Sequence, residues 1–221
     1  PRRWAGHGLL TVINAIVSRL VLRVSPVFAA VFAERNTFGL LNAAWMPFLV
    51  SAIATVLALD LVKYVVHRAC HRIPWLWRVH QVHHSDPDFD VSTAARAHPV
   101  EVLLIQGSVM TTILLLAPPP AAVLAAELMA CFQGFFEHAN AALPAWAERA
   151  LRPWIITPDL HRVHHTNQVW EQQHNLGEIF PWWDRLFGTY CAEPALGQTG
   201  MKIGLEHLGA PVAFASIAPR I

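Results

Sequence analysis

The strongest constraint on the fold is a long run of residues without a charged side chain. It covers residues 37–59, TFGLLNAAWMPFLVSAIATVLAL. About twenty such residues in a helix are enough to cross the hydrocarbon core of a bilayer. We therefore predict a membrane helix here that continues into DLVKYVVHRACHR, where charge returns. Only 14% of the residues are charged, against about 25% in soluble domains, which disfavours the alternative of a very apolar soluble enzyme.

Two further apolar segments are predicted to be helical. Residues 102–126 carry no charge but are interrupted by PPP at 118–120, and prolines cannot continue a helix. We predict a helical hairpin with arms near 101–117 and 121–137, either crossing the membrane or forming a shallow re-entrant pair. The N-terminal segment 8–33 carries Arg19 and Arg23 on one helical face. It is therefore either an interfacial amphipathic helix or a crossing whose arginines reach the interface.

The histidines concentrate in the polar stretches between these segments, where eleven of thirteen fall between residues 67 and 174. One pattern, HRACH, holds His67 and His71 four residues apart, on one face of a helix. Two others, HQVHH and HRVHH, share a spacing that brings the first histidine beside each of its partners, while the adjacent pair can diverge toward two ions. These motifs contribute His80, His83, His84, His161, His164 and His165.

Imidazole is a ligand for iron, zinc, copper and nickel, whereas magnesium and calcium prefer oxygen. Eight motif histidines are more than one ion can bind, so the count predicts two metals. His98, in RAHPVE, is a further candidate ligand, and His174 a weaker one, whereas His7 and His207 are interpreted as surface or packing residues. Carboxylates near the motifs are candidates for orienting the rings: Asp86, Glu137, Asp159 and Asp184.

Several classes of partner and chemistry are disfavoured. The net charge of +1 leaves no basic face for nucleic acid. Cys70, Cys131 and Cys191 are widely separated, so we expect reduced thiols and no disulfide framework. The sequence has no glycine-rich dinucleotide fingerprint, so we expect electrons for any redox reaction to come from a separate protein.

Composition divides the chain into three regions. Residues 1–36 form an apolar or amphipathic N-terminal segment, 37–190 a membrane domain containing the histidine motifs, and 191–221 a tail. The predicted fold is all-α, an integral membrane helical bundle with a histidine-rich helical cap. The cap consists of the polar stretches 67–99 and 138–190. By the positive-inside rule, arginines in the cap place it in the cytoplasm: Arg68, Arg72, Arg78, Arg149, Arg152 and Arg162.

The three histidine motifs, in this order and beside apolar hairpins, resemble those of the fatty acid hydroxylase/sterol desaturase superfamily. The likeness covers about residues 45–190 and includes WLWRVHQVHHSDPDFDVSTAARAHPVE, TPDLHRVHHT and NLGEIFPWWDRLFGTY. It implies that 37–190 is a fatty acid hydroxylase-like domain. Two departures are EQQHNLG at 171–177, where relatives have a serine before the asparagine and an aromatic after it, and the absence of a fused b-type cytochrome domain.

The resemblance implies a membrane-bound, non-haem di-iron oxygenase. Such an enzyme would use O2 and external electrons to hydroxylate or desaturate a C–H position of a lipid, whether sterol, fatty acyl or related. The implied iron ligands are the eight motif histidines, with His138 as a further ligand from the second hairpin arm and His98 as a candidate tenth. Two alternatives are a bis-histidine haem electron carrier of the membrane and a zinc-binding membrane protein without redox chemistry.

Overall fold

The computed structural model describes residues 2–36, 39–41 and 46–205. These residues form ten α-helices and two short 3-10 helices, and no β-strand occurs among them. The one isolated β-bridge joins Thr166 to Ile203. The prediction of an all-α chain is confirmed. The helices are α1 (Arg2–Val21), α2 (Pro26–Arg35), α3 (Phe48–Arg72), α4 (Pro74–His84), α5 (Pro99–Leu116), α6 (Pro120–Glu137), α7 (Ala145–Leu151), α8 (Pro158–His164), α9 (Trp182–Phe187) and α10 (Gly197–Gly200).

Three segments are long and apolar enough to cross a membrane: Arg2–Arg35, α3 and α5. The first contains both α1 and α2. These helices are separated by Arg23, whose φ is +62°, and Ser25, whose side chain caps α2 by accepting a hydrogen bond from the Phe28 amide. A non-glycine residue in the left-handed region marks a break in a helix, so the N-terminal segment is two helices instead of one.

The helix predicted from residue 37 begins later, at Phe48. Residues 37, 38 and 42–45 lie outside the described part of the chain. Leu40 and Leu41 are not helical, because their amides donate hydrogen bonds to the carbonyls of Leu115 and Leu116 at the end of α5. Pro47 then starts α3 from an extended conformation, since proline has no amide hydrogen to continue a helix from the preceding residues.

The helical hairpin lies where the sequence predicts it, with α5 and α6 joined through the three prolines. Both arms pack against α3, and α2 packs on the two arms. Their small and aliphatic side chains form the core of the membrane part, which includes Leu59, Val109, Ile113, Val123 and Ala126. α3 continues beyond this core to HRACH at its C-terminal end, and α6 ends at Glu137, next to His138.

The segments that follow α6 dock on the upper half of α3 through buried polar contacts. The carboxylate of Asp60 accepts hydrogen bonds from the Ile179 amide (2.9 Å) and the Trp183 indole (2.8 Å). One turn further, the hydroxyls of Tyr64 and Thr189 lie 2.9 Å apart. Buried polar groups of this kind require partners, so these pairs fix the histidine-rich cap in position above the membrane helices.

Candidate metal centre

Nine of the ten histidines proposed from the sequence lie together, in two adjacent groups. Within each group, the nearest ligand atoms all lie within 4.8 Å of one another. The first group, called site A, consists of His67, His71, His80, His84 and His164; the second, site B, consists of His83, His138, His161 and His165. The sites adjoin each other, because the rings of His84 and His165 are stacked with centroids 4.4 Å apart.

Helical spacing explains how each motif serves both sites. On α4, His80 and His84 are one turn apart and point to site A, while the intervening His83 points to site B. The third motif has the opposite arrangement, since His164 joins site A while His161 and His165 join site B. Each adjacent pair therefore diverges toward two centres, as the spacing predicts.

The Nε2 atoms of these rings face one another at distances that suit ligands of a common ion. In site A, Nε2 of His80 lies 3.1 Å from that of His67 and 3.1 Å from that of His84. In site B, Nε2 of His161 lies 3.0 Å from that of His138 and 3.1 Å from that of His165. Two nitrogens bound at right angles to one ion, each about 2.1 Å from it, are about 3.0 Å apart.

The Nδ1 atoms of several rings point outward and bind acceptors of the surrounding chain. Nδ1 of His67 donates to the Leu176 carbonyl (2.9 Å) and Nδ1 of His164 to the His174 carbonyl (2.9 Å). In site B, Nδ1 of His138 donates to the Gly134 carbonyl at 2.7 Å. A carbonyl requires a donor, so the hydrogen lies on Nδ1 and leaves the Nε2 lone pair free to bind a metal.

Some buried ring nitrogens lack any partner. Both nitrogens of His71, which is fully buried, have no hydrogen-bond partner among the described residues. An unsatisfied polar group of this kind costs about 1–3 kcal/mol. Several lone pairs facing a shared space also repel each other unless a cation lies between them. The donor set, the spacing and the unsatisfied nitrogens therefore fit a metal ion in each site.

Burial favours the neutral, metal-binding form of six clustered rings outside the membrane-spanning segments. Burial, reinforced by neighbouring histidines, lowers the pKa of His84 and His161 well below the usual value. Burial also lowers the pKa of His138 to about 4. The pKa values of His83, His164 and His165 are lowered for the same reason. At neutral pH, protons therefore compete little with a metal for these nitrogens.

His98 is the candidate that the structure does not bring into either site. Its Nδ1 accepts a hydrogen bond from the Val100 amide at 3.1 Å and so caps the first turn of α5. The free amides at a helix start require such an acceptor, which explains a histidine before PVE without a metal. His174 contributes its backbone carbonyl to His164, while its ring binds the Trp170 carbonyl.

Among the described residues, the carboxylate closest to a candidate ligand is not one of the four proposed from their position near the motifs. Oε1 of Glu101, in the first turn of α5, lies 2.7 Å from Nδ1 of His80. Among the carboxylates proposed from the sequence, Glu137 is nearest, with Oε1 3.7 Å from Nε2 of His161. Asp184 acts on site A only indirectly. Its carboxylate accepts hydrogen bonds from the amides of Leu176 and Gly177, and the Leu176 carbonyl binds His67.

The other two proposed carboxylates make different contacts. Asp86 binds the guanidinium of Arg3 at 2.7 Å and the hydroxyl of Thr93 at 2.9 Å. Asp159 pairs with Arg162 on the same helix. Both are therefore parts of the scaffold around the motifs, and the proposal that they orient ligand rings is wrong for these two residues.

A sequence profile of the fatty acid hydroxylase family matches residues 52–189, which is more than half of the chain and contains all nine clustered histidines. The chain belongs to the fatty acid hydroxylase family. The matched range lies inside the segment 37–190 that composition separates from the rest.

Curated relatives of this member of the family include hydroxylases and monooxygenases from bacteria and vertebrates. It is 28% identical over 140 residues to the ornithine lipid hydroxylase OlsE of Rhizobium tropici, covering 63% of this chain and 41% of the relative. It is 29% identical over 160 residues to the alkylglycerol monooxygenase of Xenopus tropicalis (69% and 32%), and 25% identical over 145 residues to the methylsterol monooxygenase 1 of Gallus gallus (66% and 47%). The chain thus spans less than half the length of these relatives. No solved structure gives a significant match.

A cavity of about 310 Å³ adjoins both sites. Its volume is in the range of ligand pockets in proteins. Candidate ligands from both sites line it: His67, His80, His83, His138 and His161. Between them, α5 contributes an apolar wall that includes Val102, Ile105 and Val109. The cavity therefore gives an apolar molecule access to both candidate metal positions.

Proposed function

We propose that the chain is a membrane-bound, non-haem di-iron oxygenase that uses O2 and external electrons to hydroxylate a C–H position of a lipid. The observation that carries the proposal is the pair of adjacent histidine sites with their Nε2 atoms turned inward. Nine imidazoles provide the donor type that iron accepts. The names of the relatives, which are hydroxylases and monooxygenases, favour hydroxylation over desaturation.

The proposal assigns one iron ion to each site. His67, His71, His80, His84 and His164 would hold the first, and His83, His138, His161 and His165 the second. When bound, the two ions would supply the redox chemistry that inserts one atom of O2 into a C–H bond. The assignment omits His98, whose ring caps α5.

The chain itself provides orientation and a water-poor environment. Glu101 and the carbonyls of Leu176, His174 and Gly134 fix the ring positions, which determines where a metal can lie. The cavity along α5 would hold part of a lipid chain, so that one carbon atom lies beside both sites. Holding the reacting carbon in this way contributes strongly to catalysis because it removes the cost of an encounter.

Membrane and partner assignments complete the proposal. The three apolar segments give the chain access to a lipid substrate, and the arginines of the cap favour a cytoplasmic location for the histidines. A separate electron-donor protein would supply electrons to that face. Insertion of one oxygen atom from O2 would require two external electrons and two protons, since the second oxygen atom leaves as water.

Metal analysis and a single-turnover oxygen assay test the proposal. Protein purified anaerobically from iron-replete cells should contain about two iron ions per chain, one for each histidine site, and should consume O2 once chemically reduced. A sharp Soret band in the visible spectrum would support the haem carrier instead. Zinc as the sole metal, without oxygen consumption, would support the zinc-binding alternative.

Comparative lipid mass spectrometry tests the reaction in cells. Cells with the gene should contain a lipid that is heavier by one oxygen atom than the corresponding lipid in cells without it. His164→Ala removes a proposed ligand and should abolish this product. His174→Ala is the matched control, because this ring lies outside both sites. An unchanged product in His164→Ala would remove His164 from the site.

A further inference from the structure

One ion cluster within the membrane part is used by neither metal site. Lys63 lies in the middle of α3, and only 10% of its side chain is exposed. Its ammonium lies 3.2 Å from a carboxylate oxygen of Glu127 on α6 and 3.5 Å from one of Glu178. Charged groups in a membrane-spanning segment are costly and generally have a functional role. We call these three residues the ion triad.

The triad is held in place by a second layer of contacts. Asp60, one turn below Lys63 on α3, accepts hydrogen bonds from the amides of Ile179 and Phe180. These bonds fix the backbone directly after Glu178. On the other side, the Leu176 carbonyl binds His67. The position of Glu178 is therefore determined on both sides, by α3 below and by site A above.

The triad and the metal sites share one cavity. All three residues of the triad line it, together with His67 and His80 of site A. Lys63 and His67 are one turn apart on the same face of α3, which corresponds to about 6 Å along the helix. A polar group bound at the triad would therefore place the first few carbon atoms of an attached chain beside site A.

The charges of the triad define what it can bind. Two carboxylates face one ammonium, so the formal charge is negative. Two carboxylates also offer more acceptor positions than one ammonium can fill. A polar group that donates hydrogen bonds fits these free positions, whereas another carboxylate would be repelled by them.

We propose that Lys63, Glu127 and Glu178 bind the polar end of the lipid substrate and select for an end that donates hydrogen bonds. Hydroxyl, amide N–H and ammonium groups satisfy this requirement, and a free fatty acid does not. The inference rests on the proposed function, since it concerns the substrate of the same cavity. It implies that oxidation occurs within the first few carbon atoms from the polar end.

The test compares three ligands with the same alkyl chain: dodecanol, dodecylamine and dodecanoate. Their dissociation constants are measured by isothermal titration with the purified full chain in detergent. Dodecanol and dodecylamine should bind at least about tenfold more tightly than dodecanoate, which is the effect of one hydrogen bond to a charged group. Equal or tighter binding of dodecanoate to the unaltered protein would overturn the proposal.

Two variants should shift the preference in opposite directions. Glu178→Gln removes a negative charge and should weaken the binding of dodecylamine relative to that of dodecanol. Lys63→Gln removes the positive charge and should strengthen the binding of dodecylamine relative to that of dodecanol. General damage to the fold would not produce opposite shifts. Lys202→Gln and Glu193→Gln, both at exposed positions, are the matched controls and should leave the preference unchanged. Shifts in the same direction, or none, would overturn the proposal.

The binding measurements need neither oxygen nor electrons, so they separate this proposal from the proposed function. If the affinity order holds but no oxygen-dependent product forms, the oxygenase proposal fails and the triad remains a binding site. If the product forms but the affinities show no order, the triad proposal fails alone. Should a variant not fold, the affinity order of the unaltered protein still decides the question.

Discussion

At the scale of single residues, five of the nine clustered histidines divide their two ring nitrogens between two tasks: His67, His80, His83, His138 and His164. The Nε2 atoms meet at about 3 Å inside the sites, while Nδ1 atoms bind outward acceptors. Most of those acceptors are backbone carbonyls, but His80 instead faces the carboxylate of Glu101. A carboxylate partner raises the basicity of a metal-binding ring more than a carbonyl does, so Glu101 should influence metal binding directly.

We expect Glu101→Gln to weaken metal binding at site A. The amide keeps the size of the side chain but removes the charge that strengthens the bond to His80. Loss of such a partner costs about 10–100-fold in metal affinity. Competition with a chelator measures the affinity, and Glu193→Gln, which changes an exposed carboxylate, is the control. Equal chelator resistance in both variants would show that Glu101 has no orienting role.

Gly177→Ala should disturb site A through the backbone. A Cβ at this position would lie 2.6 Å from the Phe180 carbonyl oxygen and 2.9 Å from a carboxylate oxygen of Asp184. Relief of these contacts should shift the adjoining backbone, which includes the Leu176 carbonyl bound to His67. Overpacking of this kind costs about 1–3 kcal/mol, so both the thermal midpoint and the iron content should fall. At Gly107, inside α5, a new Cβ has no neighbour within 4 Å, and alanine is a better helix former than glycine, so Gly107→Ala should lower neither.

Residue spacing predicted much of the candidate site but not its surroundings. Within each motif, histidines at i, i+3 and i+4 share a helical face whatever the tertiary fold. That the three motifs and His138 meet at one place was implied by the family resemblance and not by spacing. His98 and Glu101 are different, since a histidine before a helix can equally be a cap or a ligand. The roles of these two residues depend on how α5 lies against α4, and local sequence contains no information on that contact.

At the scale of helices, the positions of prolines indicated where the two helices of the hairpin begin and end. The triple proline predicted the hairpin, and both arms begin at a proline, Pro99 and Pro120. The start of α3 was predicted too early, because a run of uncharged residues indicates affinity for the membrane and not a helical backbone. The helix begins after Pro47.

The N-terminal helix α1 has a role that its sequence did not indicate. Its Asn14 side chain donates to the Ala97 carbonyl at 3.0 Å.

The contacts of α1 hold the segment that follows the second histidine motif. Arg3 binds Asp86 and Asp90, and His7 lies 2.8 Å from the Ser92 hydroxyl. The same segment ends at Arg96, whose carbonyl lies 3.3 Å from Nδ1 of His83. A contact chain therefore connects the N-terminal helix to site B.

Arg3→Met should loosen this segment while leaving α1 helical. The variant keeps most of the apolar stem but removes the hydrogen bonds to two carboxylates. Amides of residues 91–97 should exchange with solvent about tenfold faster or more, in keeping with the strength of hydrogen bonds to charged groups. Hydrogen exchange with mass spectrometry measures this change. Arg2→Met alters an exposed neighbour, and similar exchange in both variants would exclude the proposed clamp.

At the scale of the whole molecule, apolar helices and a polar cap divide the chain into two environments. The three candidate spans carry the apolar residues, and the cap carries most of the arginines. Because α3 passes from one part into the other, its HRACH motif lies where the membrane helices meet the cap. This arrangement gives the candidate sites a cavity with an apolar wall from α5 on one side and polar, hydrogen-bonded chain on the other.

The orientation of the cap can be tested by labelling Lys202→Cys. Lys202 is exposed, and its carbonyl binds the Asn167 amide beside the third histidine motif. If the cap is cytoplasmic, a membrane-impermeant maleimide should label this cysteine only after the cells are opened. Serine replaces Cys131 and Cys191 in the background, which is also the control without Lys202→Cys. Equal labelling of intact and opened cells would place the cap outside.

The pH dependence of stability follows from the burial of so many neutral imidazoles. Burial lowers the pKa of His84, His161 and His165 well below the ordinary value, which is about 6.5. Below that pH, the unfolded chain takes up protons that the folded chain does not, so acid favours unfolding. Buried carboxyls act in the opposite sense: burial raises the pKa of Asp184 to about 6, but the clustered histidines are more numerous.

The free energy of unfolding of the metal-free protein should therefore be nearly constant from pH about 8 to about 6.5 and fall below that value. Thermal unfolding in detergent across this range measures the trend. The metal-loaded protein should lose more stability over the same acidic range, because protons must also displace the ions from their ligands. A midpoint that rises on acidification in the metal-free protein would mean that buried carboxyls, not the histidines, control its stability. Equal slopes with and without metal would show that the ions are not bound through imidazole nitrogens.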